Sequence, residues 1–385
     1  MPPPLPPSPT DPRERFDAIL VIATRQLGDV LLTTPLIHEA RCRWPEARID
    51  VLGFAGTLGL LEGNPHISNV IEVPAGAGWR RSWPMIRQLW RRYDLALVSQ
   101  FSDRAHLYGL VAARVRSGLV VKDRSQSWWK RLSLRHFVVV DEAPSHVVLE
   151  KLRLLEPWAL PGPVNVRPPE GKPLPADVAG QLRAPYAVVQ VPSLVRYKQW
   201  PLAHVARLVE SLVGQGLQVL LAGSGSDSDR GKVAEVAATA AGEGGPAGAA
   251  QRVVTVAGLL DLRQMTTLLQ GAALYVGPDT SITHLAAACG TPTVALFGPI
   301  SPMLWGPWPQ GHDAVQPYVA AAARQQHGSL ALLQGSPQCV PCNRAGCENR
   351  VDGHSECLEH ISPDRVAREA RRLLAFKNVR GPGRA

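Results

Sequence analysis

The chain has 385 residues, 45% of them apolar, and carries a formal net charge of +9. That length accommodates two domains with separate cores, and the apolar fraction excludes global disorder. The excess of cations suits anionic partners, but no aromatic–basic interleaving or nucleic-acid motif accompanies it, so no nucleic acid is expected as partner.

The opening MPPPLPPSPTDPRERF is Pro-rich and lacks the apolar stretch of a secretory signal, so residues 1–17 are expected to be a disordered tail. AILVIA at 18–23 reads as a buried strand, followed by the turn TRQLGD and a helix over 30–43 that stops before Pro45. Strands are expected at 49–52, 70–73 and 95–98, with helical stretches at 83–92 and 103–113. This alternation predicts a doubly wound parallel sheet over 18–156. The basic segment KDRSQSWWKRLSLRHF offers Trp128, Trp129, Leu132 and Leu134 with Lys130, Arg131 and Arg135. It reads either as a rest on an anionic, partly apolar membrane surface or as a solvent-facing stretch.

Repeated prolines over 157–185 read as an interdomain linker. The pattern restarts with a strand at 186–191 and a helix over 201–213 opened by Pro201. A strand at 217–221 runs into GSGSD, and a Gly/Ala-rich loop covers 242–249. Further elements are expected at 253–254, 262–269 and 273–276. The most informative stretch is YVGPDTSITHLAAACGTPTVALFGP, a strand–turn–helix–strand unit of an open parallel sheet. A helix at 363–374 closes the fold. No run is apolar and long enough to cross a bilayer.

Open parallel sheets bind ligands beyond the carboxyl ends of their strands, and four groups of residues fall there. Gly28 permits a tight turn, and Asp29 beside it either caps the helix or serves as a base toward a hydroxyl. Arg25 binds an anion or pairs with Asp29. Ser193, Arg196 and Lys198 form a polar loop suited to a diphosphate. Asp227 meets a ribose or caps a helix; the glycines before it lack the spacing of a dinucleotide fingerprint or a P-loop. Asp279, Thr280, Ser281 and Ile282 open a helix whose first amides suit a phosphate, with His284 one turn on.

The six cysteines do not make a disulfide scaffold, since four of them fall in CVPCNRAGCENRVDGHSEC. Cys339, Cys342, Cys347 and Cys357 read as a structural metal knuckle for iron or zinc, or as unbound thiols, in a reducing compartment. Cys42 and Cys289 are expected in helix cores.

VIATRQLGDVLLTTPLIHEARCRWPEARIDVL, EGNPHISNVIEVP, VRYKQWP and YVGPDTSITHLAAACGTPTVALFGPISPMLWGP, in this order, resemble the bacterial lipopolysaccharide heptosyltransferase family, glycosyltransferase family 9. The resemblance covers most of 18–375. It implies an α/β chain of GT-B fold, two Rossmann-like parallel-sheet domains facing across a cleft. The N-terminal domain (18–156) would take the acceptor and the C-terminal domain (186–335) the nucleotide sugar. A cysteine-rich insert (336–360) and a terminal helix and tail (361–385) follow.

The resemblance further implies inverting transfer of L-glycero-D-manno-heptose from ADP-heptose to the lipopolysaccharide inner core. The setting is cytoplasmic, at the inner-membrane face, and no cofactor is required for catalysis. Asp29 matches the family's base, Lys198 with Ser193 the diphosphate contacts, and Asp279 the heptose-binding aspartate. Thr280, Ser281 and Ile282 match the phosphate-binding amides, and His284 the histidine of that helix.

Two departures stand out. Ser281-Ile282 replaces the usual Gly-Pro or Gly-Leu, narrowing the space at the phosphate. The four-cysteine run resembles the iron-binding finger of autotransporter heptosyltransferases, which leaves the acceptor as glycolipid or protein. Another GT-B transferase, a nucleotide-sugar epimerase and a non-catalytic sugar-nucleotide-binding protein are the alternative readings.

Overall fold

Five of the six residues of Ala18–Ala23 (β1) are buried, as a central parallel strand requires. The computed structural model describes residues 14–76, 85–140, 144–158, 162–242, 249–335 and 338–380. It divides into a first unit, reaching Pro169 and including Gly311–Gln316, and a second unit of Glu170–Gln310 with Pro317–Ala385.

The first unit holds β1, β2 (Arg48–Phe54), β3 (Asn69–Val73), β4 (Tyr93–Val98), β5 (Ala113–Val120) and β6 (His136–Val139). All pairings are parallel, in the order β3-β2-β1-β4-β5-β6. Its main helices are α1 (Leu27–Leu31), α2 (Thr34–Arg43), α3 (Asp103–Ala112), α4 (Arg124–Ser133) and α5 (Val147–Leu152). Two apolar clusters cover the two sheet faces. Ile19, Val21 and Leu97 pack with α2, and Leu20, Ile22 and Val98 pack with α3.

The second unit holds β7 (Tyr186–Gln190), β8 (Gln218–Ala222), β9 (Val253–Thr255), β10 (Leu274–Pro278), β11 (Thr293–Phe297), β12 (Arg324–His327) and β13 (Leu330–Gln334). Their order is β12-β13-β11-β10-β7-β8-β9, parallel except for β12 on the edge. Its main helices are α6 (Leu202–Gly214), α7 (Asp227–Ala241), α8 (Leu262–Gly271), α9 (Ser281–Ala288) and α10 (Pro363–Arg380). Without the edge strand β12, both sheets follow one doubly wound order. The chain reverses direction across the sheet between β1 and β4 in one unit and between β7 and β10 in the other. Such switch points are where ligands bind in this architecture.

Several expectations need correction. The helix expected over 30–43 is two helices broken at Leu32–Thr33. Pro35 has no amide for the Leu31 carbonyl, which accepts instead from Thr34 Oγ1 at 2.8 Å. β5 and β6 were not expected, because ARVRSGLV and HFVV mix cations with short apolar runs. β12 and β13 were also not expected. The division between the units falls within the expected linker, after Pro169, and the linker is packed. Val164 and Val166 are buried, Arg167 N donates to Thr34 Oγ1, and Lys172 pairs with Asp261 within the second unit. A short helix, Ala176–Gln181, lies within it. Residues 311–316 return to the first unit, where Gln316 Oε1 accepts from His146 N at 2.8 Å. The loop expected at 242–249 and the start of the 83–92 helix fall largely outside the described residues.

The basic 122–137 segment is mostly structural. Lys130 is buried and pairs with Asp103 at 2.7 Å, and Arg135 binds Glu14 at 2.8 Å. Arg131 donates to the Val121 carbonyl, and Leu134 is buried. Only Trp128 and Leu132 of the apolar set project freely, 60% and 77% exposed.

Residues 1–13 of the expected tail lie outside the described residues, and from Glu14 the chain is packed. Phe16 is buried edge-on to Trp44 and Trp158, with ring centroids 5.1 and 5.6 Å away, and Glu14 Oε2 accepts from Trp158 Nε1. Removing that ring leaves a cavity between two tryptophans, so Phe16→Ala should lower the unfolding free energy by about 3 kcal/mol. Urea denaturation measures this; an unchanged midpoint would mean that Phe16 is part of a loose tail.

Candidate functional site

The turn after β1 carries Arg25, Gly28 and Asp29 together. Asp29 lies in the first turn of α1, inside the helix rather than at its cap, which is Gln26. Its side chain is 11% exposed, with Oδ1 3.8 Å from Arg25 Nη1 and without a hydrogen-bond partner. A buried carboxylate oxygen left open at a switch point is placed to accept a proton from a ligand. Arg25 also lies over the Phe101 ring, 5.5 Å from its centroid. Phe101 follows β4, the strand on the other side of the switch point.

The helix break frees a carbonyl under Asp29. Thr33 N turns to the Val30 carbonyl, so the Asp29 carbonyl lacks its usual amide partner. It accepts instead from Thr33 Oγ1 at 2.8 Å and from Lys151 Nζ at 2.7 Å. Lys151, on α5, is 1% exposed and also donates to Thr33 Oγ1 at 2.9 Å. Burial pushes its ammonium down to about 8, while the Asp29 carboxylate opposes the change. Sequence reasoning missed Lys151 and Thr33, since a lysine in EKLRLL looks like any solvent-facing helical cation.

In the second unit, β7 and β10 are adjacent, so the loops that follow them meet. Lys198, on the turn Arg196–Lys198 after β7, closes on Asp279 Oδ2 at 2.6 Å. Asp279 directly follows β10, is 8% exposed, and has Oδ1 3.8 Å from His284 Nε2. Burial alone would raise the Asp279 carboxyl; Lys198 and His284 outweigh it and hold the group below the usual carboxylate range. His284 Nδ1 is buried with no hydrogen-bond partner.

Thr280 is the extended N-cap of α9 and makes no side-chain cap. The Thr283 and His284 amides turn back to the Thr280 carbonyl. Among the described residues, the Ser281 and Ile282 amides have no protein acceptor, leaving two donors at the positive end of a helix dipole.

Two expected contacts lie apart from this cluster. Asp227 is exposed and pairs with Arg230, while Ser226 caps α7. Arg196 is exposed and lowers the Asp352 carboxyl, though the Arg350 hydrogen bond does so more. Ser193 is buried, and with Arg196, Trp200, Lys232, His354 and Ser355 it lines a cavity of ≈ 730 Å³. Lys198 and Asp279 are not among its walls.

The cysteine-rich segment packs on these loops. Asn343 N donates to the Pro299 carbonyl at 2.8 Å, its Oδ1 accepts from Ser301 N, and Ser355 Oγ donates to the Tyr197 carbonyl at 2.7 Å. The last contact adjoins Lys198 and was not visible in the sequence. All six cysteines are free. Cys357 is buried, and its thiol is pushed up to about 12 by burial and by the neighbouring Cys347, Cys342 and Cys339. Among the described residues, the ligand atoms that come within 4.8 Å of one another here are those of Cys347, His354 and Glu356, not those of the four expected thiols. Cys42 is exposed on α2, against expectation, and Cys289 is half-buried at the end of α9.

Two doubly wound sheets with polar groups at their switch points define the GT-B class of glycosyltransferase fold. The model of "Glycosyltransferase family 9 (heptosyltransferase)" matches residues 82–329. The chain belongs to this family. It is 29% identical over 297 residues to lipopolysaccharide heptosyltransferase 3 of Escherichia coli, covering 73% of this chain and 83% of that protein. Among solved structures, ADP-heptose LPS heptosyltransferase II of E. coli matches with a TM-score of 0.67 at 23% identity, over 93% of this chain and 98% of that one. The iron-containing dodecameric glycosyltransferase TibC of enterotoxigenic E. coli matches with a TM-score of 0.55 at 15% identity, over 96% and 81%.

The buried ammonium predicts a pH signature. Lys151 is protonated in both states below about 8, so its burial cost is constant there. Above 8 the folded protein sheds the proton while the unfolded chain keeps it up to its ordinary value, so stability rises with pH across that window. The stability advantage of Lys151→Met over the natural chain should therefore shrink by about 3 kcal/mol across that window. Denaturant titrations of both proteins at several pH values check this; a constant difference would mean an unshifted lysine.

Proposed function

We propose that the protein transfers L-glycero-D-manno-heptose from ADP-heptose to an inner-core sugar of lipopolysaccharide, inverting the anomeric carbon. The observation that carries the reading is the Lys198–Asp279–His284 cluster beside the open α9 amides, in a chain of the heptosyltransferase family. The E. coli relative named for lipopolysaccharide heptose transfer supports the acceptor class.

The transfer is a single displacement. Asp29 Oδ1 takes the proton of the acceptor hydroxyl, whose oxygen attacks the anomeric carbon as ADP leaves. Charge grows on the departing diphosphate, where Lys198 and the amides of Ser281 and Ile282 meet it. Asp279 orients the heptose hydroxyls and holds Lys198 in place, and Thr280 sets the α9 N-terminus. Arg25 restrains the Asp29 carboxylate or meets an acceptor anion. The Ser281 Cβ narrows the phosphate subsite relative to a glycine.

Cys339, Cys342, Cys347 and Cys357, with His354 and Glu356 near Cys347, would hold iron or zinc, which would lock the segment that braces the Lys198 loop. Such a metal is structural, and every step above uses the chain's own groups. The protein works in the cytoplasm, and exposed Trp128 and Leu132 suit contact with the inner-membrane surface. No described helix is long and apolar enough to cross a membrane.

Asp29→Ala should cut transfer by at least about 100-fold while leaving donor affinity nearly unchanged. ADP-heptose turnover on truncated lipopolysaccharide, with calorimetry for binding, measures both; a variant as fast as wild type would remove Asp29 from the chemistry. ADP, and not UDP, should raise the thermal midpoint. Protection by UDP alone would point to a different donor. Elemental analysis should find one iron or zinc per chain, lost in Cys357→Ser; a metal-free, fully active wild type would leave the cysteines as plain thiols.

A further inference from the structure

The break between α1 and α2 is filled by a charge that the transfer chemistry does not use. Lys151 is 1% exposed, yet among the described residues its side chain donates to the Asp29 carbonyl and the Thr33 hydroxyl alone. Lysines this deeply buried normally sit in ion pairs, and among the described residues no carboxylate lies within ion-pair distance of it. A methionine would fill the same space without the desolvation cost. The ammonium therefore gives the site something that packing does not.

We propose that Lys151 is a positioning residue for Asp29. It ties down the main-chain carbonyl of the base, fixes the turn that aims the carboxylate, and keeps a positive charge beneath it. The geometry is local and redundant in a telling way. Thr33 Oγ1 donates to the same carbonyl that Lys151 holds, so three atoms close a ring around the broken turn. The charged groups that act on Lys151 are Asp29, Arg25 and Glu150. α2, which packs on α5, and the turn Leu58–Leu61, which packs on α1, add none. With Lys151 neutral, the cation within ion-pair distance of Asp29 among the described residues is Arg25, which is 40% exposed and screened by water.

The proposal rests on Asp29 being the base, and the experiment separates the two. Full-length K151M, K151Q, K151R and D29N are compared for kcat, donor KM and thermal midpoint. The neutral variants should lose about tenfold or more in kcat, with donor KM within roughly twofold and no drop in midpoint. K151R, which keeps the charge and the donors, should recover part of kcat.

K151M and K151Q are both neutral, so whichever folds carries the test. A neutral variant with kcat within roughly threefold of wild type overturns the proposal, as does activity that falls only with the folded fraction. If D29N is inactive and K151M normal, the positioning role alone falls. If D29N transfers at the wild-type rate, the base assignment falls and takes the positioning role with it.

Discussion

A parallel strand delivers its chain to one edge of the sheet, and adjacent parallel strands deliver theirs to the same edge. The rest of this protein's chemistry depends on that constraint. Because β7 and β10 are neighbours, the loop bearing Lys198 and the turn bearing Asp279 must emerge side by side. Their ion pair at 2.6 Å follows from strand order, and so does the proximity of His284 on the helix that β10 feeds. The same order in the first unit sets the Asp29 turn after β1 beside Phe101 after β4. Each unit thus builds its polar cluster by one topological device used on different residues.

Backbone satisfaction shapes the details. Pro35 removes one amide, the helix breaks, and two carbonyls lose their regular partners. Thr34 and Thr33 hydroxyls and the Lys151 ammonium take over. In the second unit the free amides at α9 stay open instead of being capped. One helix start has its loose carbonyl filled by the protein itself, and the other leaves donors available to a ligand. The cysteine-rich segment belongs to the same economy, since Asn343 and Ser355 satisfy groups on the loops that present the site.

Much of this was legible along the chain. The buried strands at β7, β10 and β11 announce themselves as apolar runs that end at Gly, Pro or Asp, and β1 as the unbroken apolar run AILVIA. Lys198, Asp279 and the α9 amides were readable as polar groups at strand ends. Strands β5 and β6 were not, because their arginines and histidines satisfy main-chain carbonyls in the fold, and such pairings have no signature in composition. Arg116, for example, donates to Ser133 and Ala113 carbonyls. The cationic segment before β6 misled for the same reason: Lys130 and Arg135 are bound by partners distant in sequence.

By itself, then, the sequence determined the alternation of strands and helices, the residue types at each strand end and the family to which they belong, because those properties are local. Only the tertiary structure decided which ends become neighbours and which charges are buried. Lys151 shows why. The carbonyl it holds is 122 residues away, and its environment exists only when α5 packs against a helix broken by a proline. Strand order and desolvation are properties of long-range packing, and no short window of residues contains them.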